Sequence, residues 1–222
     1  MSIKKTKFDG IFKKGKEFLT LNLVKGQRVY GEKVIKVGGK EFRVWDKWRS
    51  KPAAALAKGI KTFPLGKGYN VLYLGLASST TASHFSDVIG WNGNIFGIDI
   101  SERVLRQSVM IARKRKNIIP ILADARKPNT YAHMICKKID LLFVDVASPD
   151  QIKLAIKNSK KFLEKGSHAM IAIKSQSIDS VRPPEEVYEE CLEELRRHFM
   201  ILDKVKLDPY EKFHLFVVME KK

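Results

Sequence analysis

The stretch VLYLGLASSTTASHF, Val71–Phe85, decides the fold. Val71–Leu74 is a short apolar run of the kind that forms a fully buried strand, and Gly75 ends it. Leu76-Ala77-Ser78-Ser79-Thr80-Thr81 follows, and then Ala82, Phe85 and Ile89 recur at helical spacing up to a glycine stop at Gly90. Strand, tight turn and helix in this order make the first unit of an open, mostly parallel sheet with helices on its faces. In such a sheet a ligand binds beyond the carboxyl ends of the strands, where the strand order reverses. A dinucleotide-binding turn uses three glycines, because the pyrophosphate lies against bare backbone at a helix N-terminus. Gly75 is the only glycine in this turn, which argues against a pyrophosphate and against a nicotinamide-dependent oxidoreductase. Gly75 and Ala77 leave room for a less charged ligand. Ser78, Ser79, Thr80 and Thr81 offer hydroxyls to bond it or to cap the helix.

The alternation continues beyond the turn. IFGID, NIIPILAD, IDLLFVD and HAMIAIK read as further strands. Ser101 is placed to cap a helix running through Arg115. A second helix is expected from about Pro149 to Glu164, and a third from Pro183-Pro184 to about His198. MILDKVKL and FHLFVVME have no room for a helix between them and are expected to pair antiparallel at the sheet edge. The first fifty residues have a β rhythm instead. Leu19, Leu21 and Leu23 alternate with polar positions, and Gly38-Gly39 joins two strand-like runs in a tight hairpin. A small antiparallel module with basic residues on its exposed face is expected over residues 1–55, and the α/β domain over 56–222.

Acidic residues stand at successive strand ends. Asp99 lies 24 residues after Gly75, where a carboxylate suits the two hydroxyls of a ribose. Asp124, before Ala125, could accept from an exocyclic amine such as that of adenine, and Asp145 closes the fourth strand. A glycine turn with three acids suits S-adenosylmethionine, whose sulfonium is positive. Lys174 ends the strand MIAIK, where an unpaired ammonium would be costly to bury, so a pair with Asp145 is expected.

The chain carries a net charge of +18. Residues 1–70 hold 18 Lys/Arg against 5 Asp/Glu, a net of +13, which points to a polyanionic partner, most simply nucleic acid. The two cysteines, Cys136 and Cys191, form no CxxC, and no disulfide framework or metal site is expected. No apolar run reaches the ~18 residues of a membrane span. MSIKKTKFDG lacks an apolar signal core, so a soluble, reducing, cytoplasmic setting is expected.

VWDKWRSKPAAA, VLYLGLASSTTASHFSDVIG, KNIIPILADARKP, LLFVDVASPDQ, IKSQSIDS and LDPYEKFH, in that order from about residue 42 to the end, resemble the fibrillarin family in its short archaeal form, without a Gly/Arg-rich tail. The resemblance implies a class I S-adenosylmethionine-dependent methyltransferase: a Rossmann-like, seven-stranded sheet with an antiparallel terminal strand, behind a small N-terminal antiparallel β domain. It implies RNA 2′-O-ribose methylation within a box C/D guide ribonucleoprotein that modifies rRNA and tRNA. The partners are then a guide RNA, a Nop-domain scaffold protein and a ribosomal-protein-like kink-turn binder. The alternative is a catalytically weak or inactive scaffold subunit of the same particle.

Carried over by motif, Lys51, Asp145, Lys174 and His214 form the catalytic set. Lys174 would activate the 2′-hydroxyl, as a base if its pKa is depressed or as a charge stabilising the developing oxyanion. Asp145 would orient Lys174 and sit near the methionine amine or sulfonium. Lys51 and His214 would position the ribose and its phosphate. The cofactor set is Gly75, Ala77, Ser78, Thr80, Thr81, Asp99, Ile100, Asp124, Ala125, Asp145 and Gln151.

Three positions depart from the family pattern. Ser79 stands where glycine is usual, and its Cβ is expected to crowd the cofactor or force an unusual backbone angle. Asp99-Ile100 replaces glutamate followed by an aromatic. Pro52 is expected to hold Lys51 extended. Weakened but retained cofactor binding follows.

Overall fold

The computed structural model describes residues 2–222. An N-terminal sheet comes first, from β1 (Lys4–Lys5), β2 (Ile11–Lys14), β3 (Glu17–Leu21), β4 (Val34–Val37) and β5 (Lys40–Trp45). Its order is β1-β2-β3-β5-β4 and every pairing is antiparallel. The Gly38-Gly39 hairpin is present, with both residues at positive φ (56° and 70°), as a tight turn with this hand of twist requires. Helix α1 (Lys51–Ala57) follows. The expected division between residues 55 and 56 lies inside it, and its buried alanines sit in one apolar cluster with Trp45 of the first sheet and Phe216 of the second.

The second sheet alternates with helices: β6 (Asn70–Leu74), α2 (Thr80–Ile89), β7 (Asn94–Asp99), α3 (Glu102–Ala112), β8 (Ile118–Leu122), β9 (Ile139–Val144), α4 (Gln151–Phe162), β10 (Leu163–Lys174), α5 (Ser175–Ile178), α6 (Pro184–Arg196), β11 (Phe199–Lys206) and β12 (His214–Lys221). The order is β11-β12-β10-β9-β6-β7-β8, with β12 antiparallel to both neighbours and the five strands from β10 to the β8 edge parallel. The chain leaves β6 toward β7 and returns on its other side at β9, so the order reverses there and a crevice opens at the strand ends. The final hairpin is as expected. Among the described residues, no helix is long and apolar enough to cross a membrane.

Three expectations for the chain's packing need correction. The leucine alternation does not mark the buried face of β3. Leu19 is buried, but Thr20 is as well, while Leu21 is 38% exposed. Thr20 faces α2, where its hydroxyl donates to Asp87 Oδ2 (2.7 Å). The basic residues are not all on an exposed face: Arg43, the register partner of Thr20, is fully buried. The helix expected to run from Ser101 through Arg115, α3, ends at Ala112, because Arg115 turns inward and is fully buried as well. Ser101 sits at its N-cap, but its side chain makes no capping bond.

These side chains form a closed, charge-balanced cluster between the first sheet and α2. Asp87 accepts from Arg43 on Oδ2 (2.8 Å) and from Arg115 on Oδ1 (2.6 Å), and Arg43 also pairs with Glu32. Two guanidiniums thus meet two carboxylates, which is the condition for burying any of them. His84 lies beside them, stacked on Trp45 at 5.0 Å between ring centroids. The Thr20 hydroxyl proton goes to Asp87, so His84 Nδ1–H donates to Thr20 Oγ1 (2.8 Å). Nε2 is then the acceptor for the Tyr30 hydroxyl (2.7 Å). Burial, with help from Arg43 and Arg115, pushes the His84 pKa well down and keeps the ring neutral.

Replacing Asp87 by Ala leaves two buried cations short of a partner and should cost about 3–5 kcal/mol, read by chemical denaturation. His84 gives a pH signature. Unfolded imidazole titrates at about 6.5 and the folded ring well below it, so unfolding takes up a proton as pH falls. Stability should therefore drop below pH 6.5, by up to about 1.4 kcal/mol per pH unit, and His84→Gln should flatten that slope between pH 6.5 and 5.5.

Candidate active site

The turn after β6 alternates its backbone hand. Gly75, Ala77 and Ser79 all have positive φ, at 85°, 49° and 58°. At Gly75 the requirement is also steric, since a Cβ would lie 2.4 Å from the carbonyl oxygen of Asp145. Ala77 and Ser79 each hold a left-handed conformation that costs a side-chain-bearing residue roughly 1–2 kcal/mol. Hydrogen bonds from outside the turn hold them there. The Ala77 N–H donates to Asp99 Oδ2 (2.8 Å), and the Ser101 N–H donates to Asp99 Oδ1 (2.9 Å). The Ser79 hydroxyl donates to Ser108 Oγ on α3 (2.7 Å), and Ser108 donates in turn to the Ala77 carbonyl.

The expectation for Ser79 is therefore half right. Its backbone is unusual, but its buried side chain turns toward α3, away from the crevice. None of the turn's hydroxyls caps α2.

A cavity of about 460 Å3 occupies the crevice. Gly75, Ala77, Asp99, Ile100, Asp124, Ala125 and Asp145 line it, together with Lys174. Ile100 is 64% exposed on its wall, an aliphatic surface open to a flat ligand. Each Asp99 oxygen accepts one backbone N–H and keeps further acceptor capacity. Asp124 is held by Arg126, whose Nε donates to both carboxylate oxygens (2.9 and 3.0 Å). That bond leads a set of donors that holds the Asp124 pKa below its usual range.

A second cavity of about 480 Å3 adjoins the first. Lys51, Trp48, Arg49, Ser78, Thr80 and Thr81 line it, and it shares Gly75, Ala77, Asp145 and Lys174 with its neighbour. Ser78, Thr80 and Thr81 thus face this cavity rather than the first. Thr81 also bonds Ser50 Oγ (2.8 Å), which accepts from Trp45 Nε1 (2.8 Å). Gln151 reaches neither cavity wall. It is fully buried, and its amide bonds the N–H and carbonyl of Lys174 (2.9 and 3.2 Å) and the carbonyl of Ser148 (3.1 Å). It clamps the end of β10 instead of meeting a ligand.

At the shared wall, Asp145 Oδ1 lies 3.0 Å from Lys174 Nζ and 3.2 Å from Lys51 Nζ. Burial alone would raise the Asp145 pKa, but the two lysines outweigh it and hold the carboxyl below its usual range. Lys51 reaches this position from the first turn of α1. Ser50, not Lys51, is the extended residue, because a proline is tolerated early in a helix where its missing N–H has no partner to lose. His214 pairs with Lys174 across the β10–β12 ladder and is on neither cavity wall. Its Nδ1–H donates to the Lys212 carbonyl (2.7 Å), and Nε2 has no partner among the described residues. Burial pushes its pKa below 6.5 despite that bond. Among the described residues, no cluster of His, Cys, Asp and Glu could hold a metal.

The family model described as Fibrillarin matches residues 3–222. The chain belongs to the fibrillarin family. The fibrillarin-like rRNA/tRNA 2′-O-methyltransferase of Pyrococcus abyssi is 50% identical over 226 residues, spanning 100% of this chain and 99% of that protein. Aeropyrum pernix fibrillarin, solved with natively bound S-adenosyl-L-methionine, superposes with a TM-score of 0.90 at 40% identity, covering 99% of this chain and 98% of that one. The fibrillarin of a fibrillarin/Nop5p complex gives 0.90 at 35% identity, over 98% and 100% of the two chains. Trp48, Arg49 and Arg126 were not singled out as site residues by the fibrillarin motifs. Trp48 and Arg49 precede Lys51 by three and two residues, and Arg126 follows Asp124 by two, a proximity in the chain that is the sequence signal for them.

Ser108→Ala should strand the buried Ser79 hydroxyl and the Ala77 carbonyl and cost about 1–3 kcal/mol in chemical denaturation. Ser79→Gly in that background should recover part of the loss, because glycine tolerates the left-handed backbone and brings no hydroxyl. An equal loss with and without Ser79→Gly would mean that the hydroxyl pair does not hold the turn.

Proposed function

We propose that this chain transfers a methyl group from S-adenosylmethionine to the 2′-hydroxyl of an RNA ribose, as the catalytic subunit of a box C/D guide ribonucleoprotein acting on rRNA and tRNA. The observation that carries the proposal is Asp145, ion-paired with both Lys51 and Lys174 where two cavities meet. One cavity suits the methyl donor and the other the ribose. The residues present fit the donor: the first cavity has an open aliphatic shelf at Ile100, acids at three strand ends and, at residue 75, a glycine whose backbone lies against the Asp145 carbonyl too closely for any side chain. Gly75, Ala77, Asp99, Ile100, Asp124, Ala125 and Asp145 would hold it. When bound, S-adenosylmethionine supplies a methyl group on a sulfonium, an excellent leaving group.

The protein's part is orientation and charge. A ribose hydroxyl is a poor nucleophile, and holding its oxygen in line with the methyl accounts for much of the rate. The ammonium of Lys174, fixed by Asp145 at its head and by Gln151 at its backbone, stabilises the negative charge that develops on the oxygen as its proton passes to solvent. Lys51 adds a second cation at the same carboxylate. His214, outside both cavity walls and kept neutral at pH 7 by burial, retains Nε2 as an acceptor with no partner among the described residues.

The basic N-terminal third fits a protein that meets RNA phosphates, and target choice by base pairing fits a chain without a base-reading module of its own. A Nop-domain scaffold, a guide RNA and a kink-turn binder complete the proposed particle. The same proposal takes residues 1–55 as a small basic β domain and 56–222 as the methyltransferase domain, in the cytoplasm.

Methyl transfer from labelled cofactor to a guide-matched RNA tests this directly. Lys174→Ala should lose about 10²–10³ in rate while the particle still assembles; an unchanged rate would overturn the assignment. The rate should hold through pH 6.5 and fall only at lower pH, where His214, its pKa depressed by burial, takes up a proton, and His214→Gln should remove that decline.

A further inference from the structure

We propose that Trp48 is a stacking platform for a nucleobase of the RNA substrate, beside the ribose that is modified; this rests on the function proposed above. Trp48 is 57% exposed, yet it stands on the wall of the cavity that holds Lys51, Asp145 and Lys174. Trp91, similarly exposed at 54%, lines neither that cavity nor its neighbour. Trp48 is also held in position. Its backbone N–H donates to Asp46 Oδ1 (2.9 Å), and its ring meets Tyr210 edge to face, 4.9 Å between centroids at 82°. An edge-to-face contact orients the indole without covering both of its faces.

Cations flank it on both sides in sequence. Lys47 lies over the Tyr210 ring at 4.8 Å, and Arg49 over the Tyr30 ring at 5.4 Å. A fixed, solvent-facing aromatic between cations matches single-stranded nucleic acid, whose bases present π faces and whose backbone presents phosphates. Stacking tolerates any base, which suits an enzyme whose target is chosen elsewhere. A protein surface is the competing occupant. The cations and the continuity with the methyl-acceptor cavity favour RNA.

The test uses the full particle, reconstituted with scaffold protein and guide RNA. Trp48→Ala should raise the KM for substrate RNA by about 5- to 150-fold, with the Kd for S-adenosylmethionine unchanged. Trp48→Phe should restore most of the affinity. In a Trp91→Phe background, substrate RNA should quench tryptophan fluorescence, and the quench should disappear with Trp48→Phe added or with an RNA abasic at the target nucleotide. An unchanged KM in Trp48→Ala would overturn the proposal, as would quenching on scaffold addition that RNA does not extend. A particle that fails to methylate while RNA still quenches Trp48 would sink the methyltransferase function and leave the platform standing. Normal methylation with an unchanged KM in Trp48→Ala would do the reverse.

Discussion

The close approach of Gly75 to Asp145 sets the geometry of the whole site. Residue 75 packs so tightly against the Asp145 carbonyl that a Cβ there would lie 2.4 Å from its oxygen. The turn after β6 and the end of β9 are therefore in backbone contact, and the wall between the two cavities is thin. Asp145 sits in that wall and gathers both Lys51 and Lys174 on its Oδ1. A carboxylate with two lysines is stable there because its charge is over-compensated. The lysines in turn are fixed because the carboxylate is held ionised. Gln151 adds a second constraint behind Lys174, joining the start of α4 to the last residue of β10.

The first sheet contributes more than a basic surface. Its Thr20, Arg43 and Trp45 lock onto α2, the helix that the cofactor turn opens into. Trp45 also bonds Ser50, which bonds Thr81, so the residue before Lys51 is tied to the first turn of α2. Lys51 thus takes its place relative to the turn from the first sheet and α2 together. This explains why α2 is buried almost all round: one side meets the parallel sheet and the other meets the antiparallel one.

Much of this was legible in the sequence, for identifiable reasons. The parallel sheet follows from apolar runs closed by Gly75, Asp99, Asp124 and Asp145, because strand periodicity and strand-end acids are local signals. The Gly38-Gly39 turn is local too. The cluster of Arg43, Asp87, Arg115 and His84 was not legible, because its members lie far apart in the chain and a single arginine in a basic segment reads as surface. Thr20 and Leu21 exchanged their expected environments for the same reason, since the partner of Thr20 is 67 residues away. Ser79 was legible in its backbone, where a glycine position predicts a positive φ. It was not legible in its side chain, whose direction depends on Ser108. Gln151 sits within a motif but turned out to brace Lys174, a distinction that only the packing reveals.

In the proposed reaction the Asp145 carboxylate organises two cations for methyl transfer rather than merely binding the donor. Single-turnover transfer by Asp145→Asn in the reconstituted particle, with labelled S-adenosylmethionine at saturation, tests it most directly. The amide keeps the shape and removes the charge. The variant should still bind S-adenosylmethionine and assemble, with its single-turnover rate lowered by at least about 10²-fold. A rate equal to that of the unmodified protein at saturating donor would contradict it.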